Sequence, residues 1–279
     1  MVVPDRIIER KQKHMSKIED LPVLIYTPGR VSSGSCSIAL MKAGFENRFH
    51  VHVMNEDWRT FSGAASPATG MSKQQEARYN FDRNVRTEII DAKQECLVVS
   101  LVREPLTRNM SAYFMNQVDK KGIGGKTAES LRKGFLSRYP HYVPLEWYHR
   151  EFNPVLGINV YDHPFDRERG YQVIESGRFK ILLLRTELTN EEKGNALQEF
   201  LNRPVEMEVS RKSDKYELKE ETNELYREFK KEVKFRPEFL DYLYNSEYAR
   251  HFMTPKEIKA LRKRWQDDNA APVAWRTTP

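Results

Sequence analysis

Three short stretches of the chain are almost continuously apolar: 22–26 (PVLIY), 97–102 (LVVSLV, with Ser100 its one polar residue) and 181–184 (ILLL). Each is bounded by breakers or charged residues and none alternates, so each predicts a strand buried on both faces. Between them the apolar positions take helical spacing, over roughly 35–43, 81–93, 107–118, 127–138 and 144–152. Strand and helix in alternation predict an α/β fold with a mostly parallel sheet flanked by helices. His50–Met54 (HVHVM) has the period of two, which sends Val51 and Val53 to one face and His50 and His52 to the other. Residues 171–184 predict two strands around Ser176-Gly177. Residues 60–72 carry no charge and many small side chains, and predict a loop or lid. Beyond 189 the pattern is helical at 189–200, 216–232, 236–251 and 255–265, giving a largely helical C-terminal part.

No internal repeat or linker divides the chain. The organisation expected is an N-terminal arm over 1–20, one α/β domain over 21–266, and a loose Ala/Pro/Thr-rich tail over 267–279. Composition narrows the class. Hydrophobic residues make 39% and charged residues 31% of the 279 positions, enough apolar material for a core within a very polar surface. No uncharged apolar run approaches the ~18–20 residues of a membrane span. The first residues (MVVPDRIIERKQK) lack the apolar core of a secretory signal. Two cysteines, Cys36 and Cys96, make no disulfide framework and no zinc pattern. A reducing, cytoplasmic setting is the natural reading, with peripheral membrane contact left open. Lys and Arg exceed Asp and Glu by 46 to 40. That modest excess fits a small anionic ligand better than nucleic acid, for which no binding motif or basic stripe is present.

The candidate chemistry begins at Tyr26-Thr-Pro-Gly-Arg-Val-Ser-Ser-Gly-Ser-Cys-Ser-Ile38, where a buried strand runs into small and hydroxyl residues and then a helix. The backbone N–H groups of such a loop and the helix N-terminus form an anion site. Ser32, Ser33 and Ser35 add hydroxyl donors, and Arg30 a cation. The loop has no GxxxxGK[ST], which argues against an ATPase or kinase. A second segment, Leu101-Val-Arg-Glu-Pro-Leu-Thr-Arg-Asn-Met-Ser-Ala-Tyr113, ends a strand at Arg103 and starts a helix, with Thr107 the expected N-cap. Arg103 and Ser111 can converge on one anion, a guanidinium fork with a hydroxyl. Both segments follow buried strands, where open α/β sheets bind ligands. Two phosphate sites on one sheet suggest a nucleotide with phosphates at both ends of its ribose.

The pairing of PGRVSSGS with VREPLTRNMS resembles the two cofactor motifs of sulfotransferases that use 3′-phosphoadenosine 5′-phosphosulfate (PAPS). HVHVMN (50–55), EWYHREFNPVLGINVYDHPFD (146–166), GYQVIESGRFKILLLRTEL (170–188) and SEYARHFMTPKEI (246–258) resemble a bacterial branch of that group, the capsular polysaccharide synthesis proteins. The resemblance spans roughly 22–260. It implies a P-loop-containing, sulfotransferase-like fold. It implies that Arg30, Val31, Ser32, Ser33, Gly34, Ser35 and Cys36 receive the 5′-phosphosulfate and that Arg103 and Ser111 receive the 3′-phosphate. It also implies that His52 is the general base, with His50 on the same strand face as its competitor. An imidazole suits that role at neutral pH. The chain departs from the family at Arg30, where Lys is usual, at Ser32, where Gly is usual, and at Asp214-Lys215-Tyr216, which lacks the branch's Trp.

The function expected is sulfuryl transfer to a carbohydrate hydroxyl, with no metal required. Acceptor loops are expected within 57–80, 119–150 and 153–170. Trp58, Trp147 and Tyr148 offer flat rings for a sugar face, with core packing the preferred reading. His149 and His163 read as packing residues. Arg211, Lys212 and Lys215 are candidates for the 3′-phosphate, with a solvated helix start preferred. The alternatives are a P-loop nucleotide kinase and a non-catalytic module that binds a nucleotide or polyanion.

Overall fold

The computed structural model describes residues 18–64, 67, 70–118, 127–208 and 220–277. In chain order the elements are β1 (Val23–Tyr26), α1 (Ser33–Lys42), β2 (Arg48–Val51), α2 (Glu56–Ser62), α3 (Lys73–Val85), β3 (Cys96–Val102), α4 (Pro105–Tyr113), α5 (Ala128–Arg138), α6 (Val143–Trp147), β4 (Tyr171–Ser176), β5 (Phe179–Arg185), α7 (Asn190–Leu201), α8 (Glu220–Glu232), α9 (Pro237–Tyr244), α10 (Glu247–Phe252) and α11 (Pro255–Trp265). Helices α3, α4 and α6 continue into wider, π-type turns at Arg86–Asp91, Phe114–Val118 and Tyr148–Phe152.

The sheet order is β2-β1-β3-β5-β4. The first four strands run parallel, and β4 returns antiparallel along β5. The turn between them holds Gly177 at φ 59°. The almost continuous apolar runs are explained by the two cores. Val23, Ile25, Leu97, Val99, Leu101, Leu182 and Leu184 face a layer made with α1 and α7. Leu24, Tyr26, Val98, Val102, Ile181 and Leu183 face a larger aromatic layer built by the remaining helices. Helix starts are locally specified: Ser72, Thr127, Thr189 and Thr254 each cap with a reciprocal bond from the residue three on.

Several expectations are corrected. The strand expected over 50–54 is displaced to Arg48–Val51, leaving His52 just past its end. The helix expected over 236–251 is two, because Ser246 caps a new helix. The cap of α4 is Glu104, whose carboxylate accepts from the amides of Leu106 and Thr107 at 2.7 Å each, in place of Thr107. The first residues of the supposed lid over 60–72 belong to α2. The tail is not loose where it is described. Arg276 pairs with Pro140, its carbonyl accepts from the amide of His141 at 3.2 Å, and Trp275 packs edge-on against Phe239. No described helix is long and apolar enough to cross a membrane.

Candidate functional site

The loop after β1 is held in an unusual backbone. Gly29, Arg30 and Ser32 all have positive φ, of 74°, 62° and 60°. Two of the three carry side chains, a conformation that costs energy and concentrates where backbone amides must converge. What holds it is Arg108, a buried residue on α4. Its guanidinium donates to the carbonyls of Pro28 at 2.7 Å and Gly29 at 3.1 Å, to Asn109 Oδ1 at 3.0 Å and to Tyr139 Oη at 2.8 Å. Arg103 adds a bond to the carbonyl of Arg30 at 3.0 Å.

The two motifs meet directly. Arg30 donates to Ser111 Oγ through Nε at 3.2 Å and Nη2 at 2.9 Å. Arg103 sits at the end of β3, its amide and carbonyl both bonded to the Tyr248 hydroxyl, at 3.1 and 2.9 Å. Arg30, Arg103 and Arg108 therefore crowd one corner above β1 and β3, and none forms an ion pair among the described residues. Burial, then the like charges of Arg103 and Arg108, hold Arg30 below the usual arginine range. Three guanidinium groups bonded only to neutral acceptors gather positive charge in this corner, which suits an anion.

Ser32 and Gly34 are exposed at the mouth, and Ser35 is half-buried. The amides of Ser33 and Gly34 lie in the first turn of α1, where no intrahelical acceptor exists. Val31 and Cys36 differ: both side chains are fully buried in the core under α1. The amides of Ser35 and Cys36 already bond to the carbonyl of Ser32. Burial pushes the Cys36 thiol up to about 12, so it has no thiolate to offer.

His52 and His50 stand beside this corner, rings edge to face at 4.6 Å. His52 Nδ1 lies 2.8 Å from the carbonyl of Thr27. A carbonyl only accepts, so Nδ1 carries the proton and Nε2 the lone pair. The ring lies along Gly29, where an added Cβ would sit 3.9 Å from it. His50 Nε2 is paired with Ser33 Oγ at 2.9 Å. Burial, with His50 and Arg78 adding to it, holds His52 down to about 3; burial and Arg78 hold His50 to about 4.

Sequence reasoning misses two residues of α8, read there as a solvated face. Tyr226 packs on Phe114 with centroids 4.9 Å apart, and its buried hydroxyl, beside Arg103 and Arg30, makes no well-formed hydrogen bond. Lys230 lies 4.2 Å over that ring, lowered by burial and then by Arg103. Trp58, Trp147 and Tyr148 are core residues with 2%, 1% and 1% exposure, so no sugar can stack on them. His149 is an exposed partner of Glu247 at 2.8 Å. Arg211, Lys212 and Lys215 lie outside the described residues. Among the described residues no group of three His, Cys, Asp or Glu side chains could hold a metal ion.

The comparison with known families adds one match. Residues 126–254 match the family model named "Putative capsular polysaccharide synthesis protein". The matched stretch runs from the start of α5 past α10. It holds much of the aromatic layer, Tyr248 included, and excludes the β1 loop, His52, Arg103 and Ser111. No curated protein and no solved structure matches the chain.

The titrating groups fix a stability profile. His50, His52 and His141, the last also held down to about 3 by burial, sit below their ordinary 6.5 in the fold. The unfolded chain therefore binds more protons, and this stability is present above pH 6.5 and lost as pH falls toward 4. Glu151 and Asp82 are pushed by burial the other way, to about 8 and about 6, so their contribution is lost as pH rises. Three imidazoles against two carboxyls give a melting temperature that climbs from about pH 4 to 6 and declines from about pH 6.5 to 8. Thermal melts across that range check it, and a monotonic rise to pH 8 contradicts it.

Proposed function

We propose that the chain is a sulfotransferase that moves a sulfuryl group from PAPS to a hydroxyl of a carbohydrate, in the synthesis of a capsular or other surface polysaccharide. The observation that carries this reading is the bond from Arg30 to Ser111, which joins the loop and the strand end into one cationic corner with His52 beside it. The match to a capsular polysaccharide family supports a carbohydrate as acceptor.

The residues fit a nucleotide with phosphates at both ends of its ribose. The left-handed backbone at Gly29, Arg30 and Ser32 and the free amides of Ser33 and Gly34 suit the 5′ end. Arg103, Ser111, Tyr226 and Lys230 suit the 3′-phosphate, to which the Tyr226 hydroxyl, beside Arg103 without a well-formed bond, can donate. PAPS, when bound, supplies an activated sulfuryl group whose S–O bond breaks as the acceptor oxygen bonds to sulfur. Arg30 neutralises charge at the oxygens of the leaving phosphate; as a guanidinium it cannot donate a proton there. His52 Nε2 takes the proton of the acceptor hydroxyl, while Thr27 O holds Nδ1–H and fixes the tautomer.

A non-catalytic nucleotide binder is the second reading, favoured by the low basicity of His52. Transfer of radiolabelled sulfate from PAPS to a panel of bacterial polysaccharides separates the two: labelled glycan supports the transferase, and tight nucleotide binding without label supports the binder. Arg103→Ala is expected to weaken 3′-phosphoadenosine 5′-phosphate by about 10- to 100-fold, the scale of charged hydrogen bonds. It should leave 5′-AMP nearly unchanged, and equal loss for both ligands in calorimetry contradicts the assignment of Arg103 to the 3′ end.

A further inference from the structure

Glu151 is fully buried, and the bonds its carboxyl accepts among the described residues come from neutral donors. Its carboxylate receives the Tyr26 hydroxyl, the amide of Met54, and the amide of Asn55 at 3.2 Å to each oxygen. Two neighbours on the same turn extend the contact. Trp147 Nε1 donates to the carbonyl of His52 at 3.3 Å, and Asn55 Nδ2 donates to the carbonyl of Arg150 at 2.7 Å. The helical segment from Trp147 to Glu151 thus grips residues 52, 54 and 55.

On the other side Tyr26 is the last residue of β1, directly before Thr27. Thr27 is bonded by its amide to the carbonyl of Val51 at 3.3 Å and by its carbonyl to His52 Nδ1 at 2.8 Å. Glu151 therefore clips the ends of β1 and β2 together on either side of the His52–Thr27 pair. A buried carboxyl is a costly way to fill space, and an apolar residue of like size often stabilises a fold better. What the Glu151 carboxyl gives here is one oxygen, Oε1, on which three donors from two strand ends converge, and that fixes their relative positions.

We propose that Glu151 is the positioning residue of His52, setting the Nδ1–H tautomer and the aim of Nε2 by clamping Tyr26 to the Met54–Asn55 backbone. That this serves catalysis rests on the reading of His52 as the base; the clamp itself is tested without nucleotide or acceptor.

The test is long-range ¹H–¹⁵N NMR of the imidazoles in the full chain, with His52 assigned by loss of its signals in His52→Asn. The native ring is expected as the neutral Nδ1–H form. In Glu151→Met, which keeps the length of the side chain and removes every acceptor oxygen, His52 is expected to become a tautomer mixture. The His141 ring, buried elsewhere and bonded to the carbonyl of Phe135 at 3.0 Å, should not move. Tyr26→Phe removes one donor and should shift His52 less in the same direction; it decides the matter if Glu151→Met does not fold. Unchanged His52 signals in a folded variant overturn the proposal, as do equal changes at His52 and His141, which make Glu151 a general support. Affinity for 3′-phosphoadenosine 5′-phosphate should stay within about twofold of native, because the clamp does not touch the loop from Arg30 to Ser35. Absence of nucleotide binding in the native chain removes the sulfotransferase reading and leaves the clamp standing.

Discussion

His52→Ala is expected to lower kcat for sulfuryl transfer by about 10²- to 10⁴-fold, the contribution of a positioned general base. Among the described residues the ring's polar ties are to Thr27, through Nδ1, so Nε2 has a lone pair and no competing proton. No hydrogen bond among the described residues joins the ring to the loop from Gly29 to Ser35, so KM for PAPS should change by no more than about twofold. His50 is different, since its Nε2 is engaged with Ser33, and His50→Ala should cost much less. The pH profile carries the same claim. A base works deprotonated, so activity falls as pH drops through its pKa; with His52 held to about 3, the acid limb of kcat/KM lies well below 6.5. His52→Ala with kcat within about threefold of native removes His52 from the chemistry.

The largest loss of stability is expected at Arg108→Ala. The side chain is buried, and its removal strands the carbonyls of Pro28 and Gly29, the Asn109 oxygen and the Tyr139 hydroxyl. Each buried group left unpaired costs about 1–3 kcal/mol, less where water reaches the loop. A total of about 3–5 kcal/mol is the scale for breaking such a buried charged network. The two carbonyls flank the left-handed residues, so nucleotide affinity should fall with stability even though Arg108 is built into the wall behind the loop. Arg108→Lys should recover only part, because an ammonium cannot span four acceptors in a planar fork. Thermal unfolding checks both; a loss under about 1 kcal/mol contradicts the role given to Arg108.

The central strands are legible in the sequence because both their faces are covered, which makes the apolar runs almost continuous. The two motifs are legible because strand ends followed by small residues have few other uses. Less legible are interactions that join distant segments. Arg30 and Ser111 are recognisable separately, but only the fold makes them partners. Glu151 lies in a charged run, EWYHREF, and reads as a surface residue. Its spacing of four from Trp147 and from Val155, both buried, is the mark that places it on the apolar face. Tyr226 and Lys230 sit among alternating charges on α8 and give no sign that one face turns toward Arg103. The end of β2 at Val51 is set by the clamp on the following residues, which alternation alone cannot reveal.

The most direct test of the account is calorimetric titration of the native chain with 3′-phosphoadenosine 5′-phosphate, ATP and 5′-AMP, without added metal. The cationic corner from Arg30 to Ser111 predicts that the 3′,5′-bisphosphate binds at least about tenfold more tightly than either of the others, the worth of one well-placed phosphate contact. Equal or tighter binding of ATP, or no binding of any of the three, contradicts it.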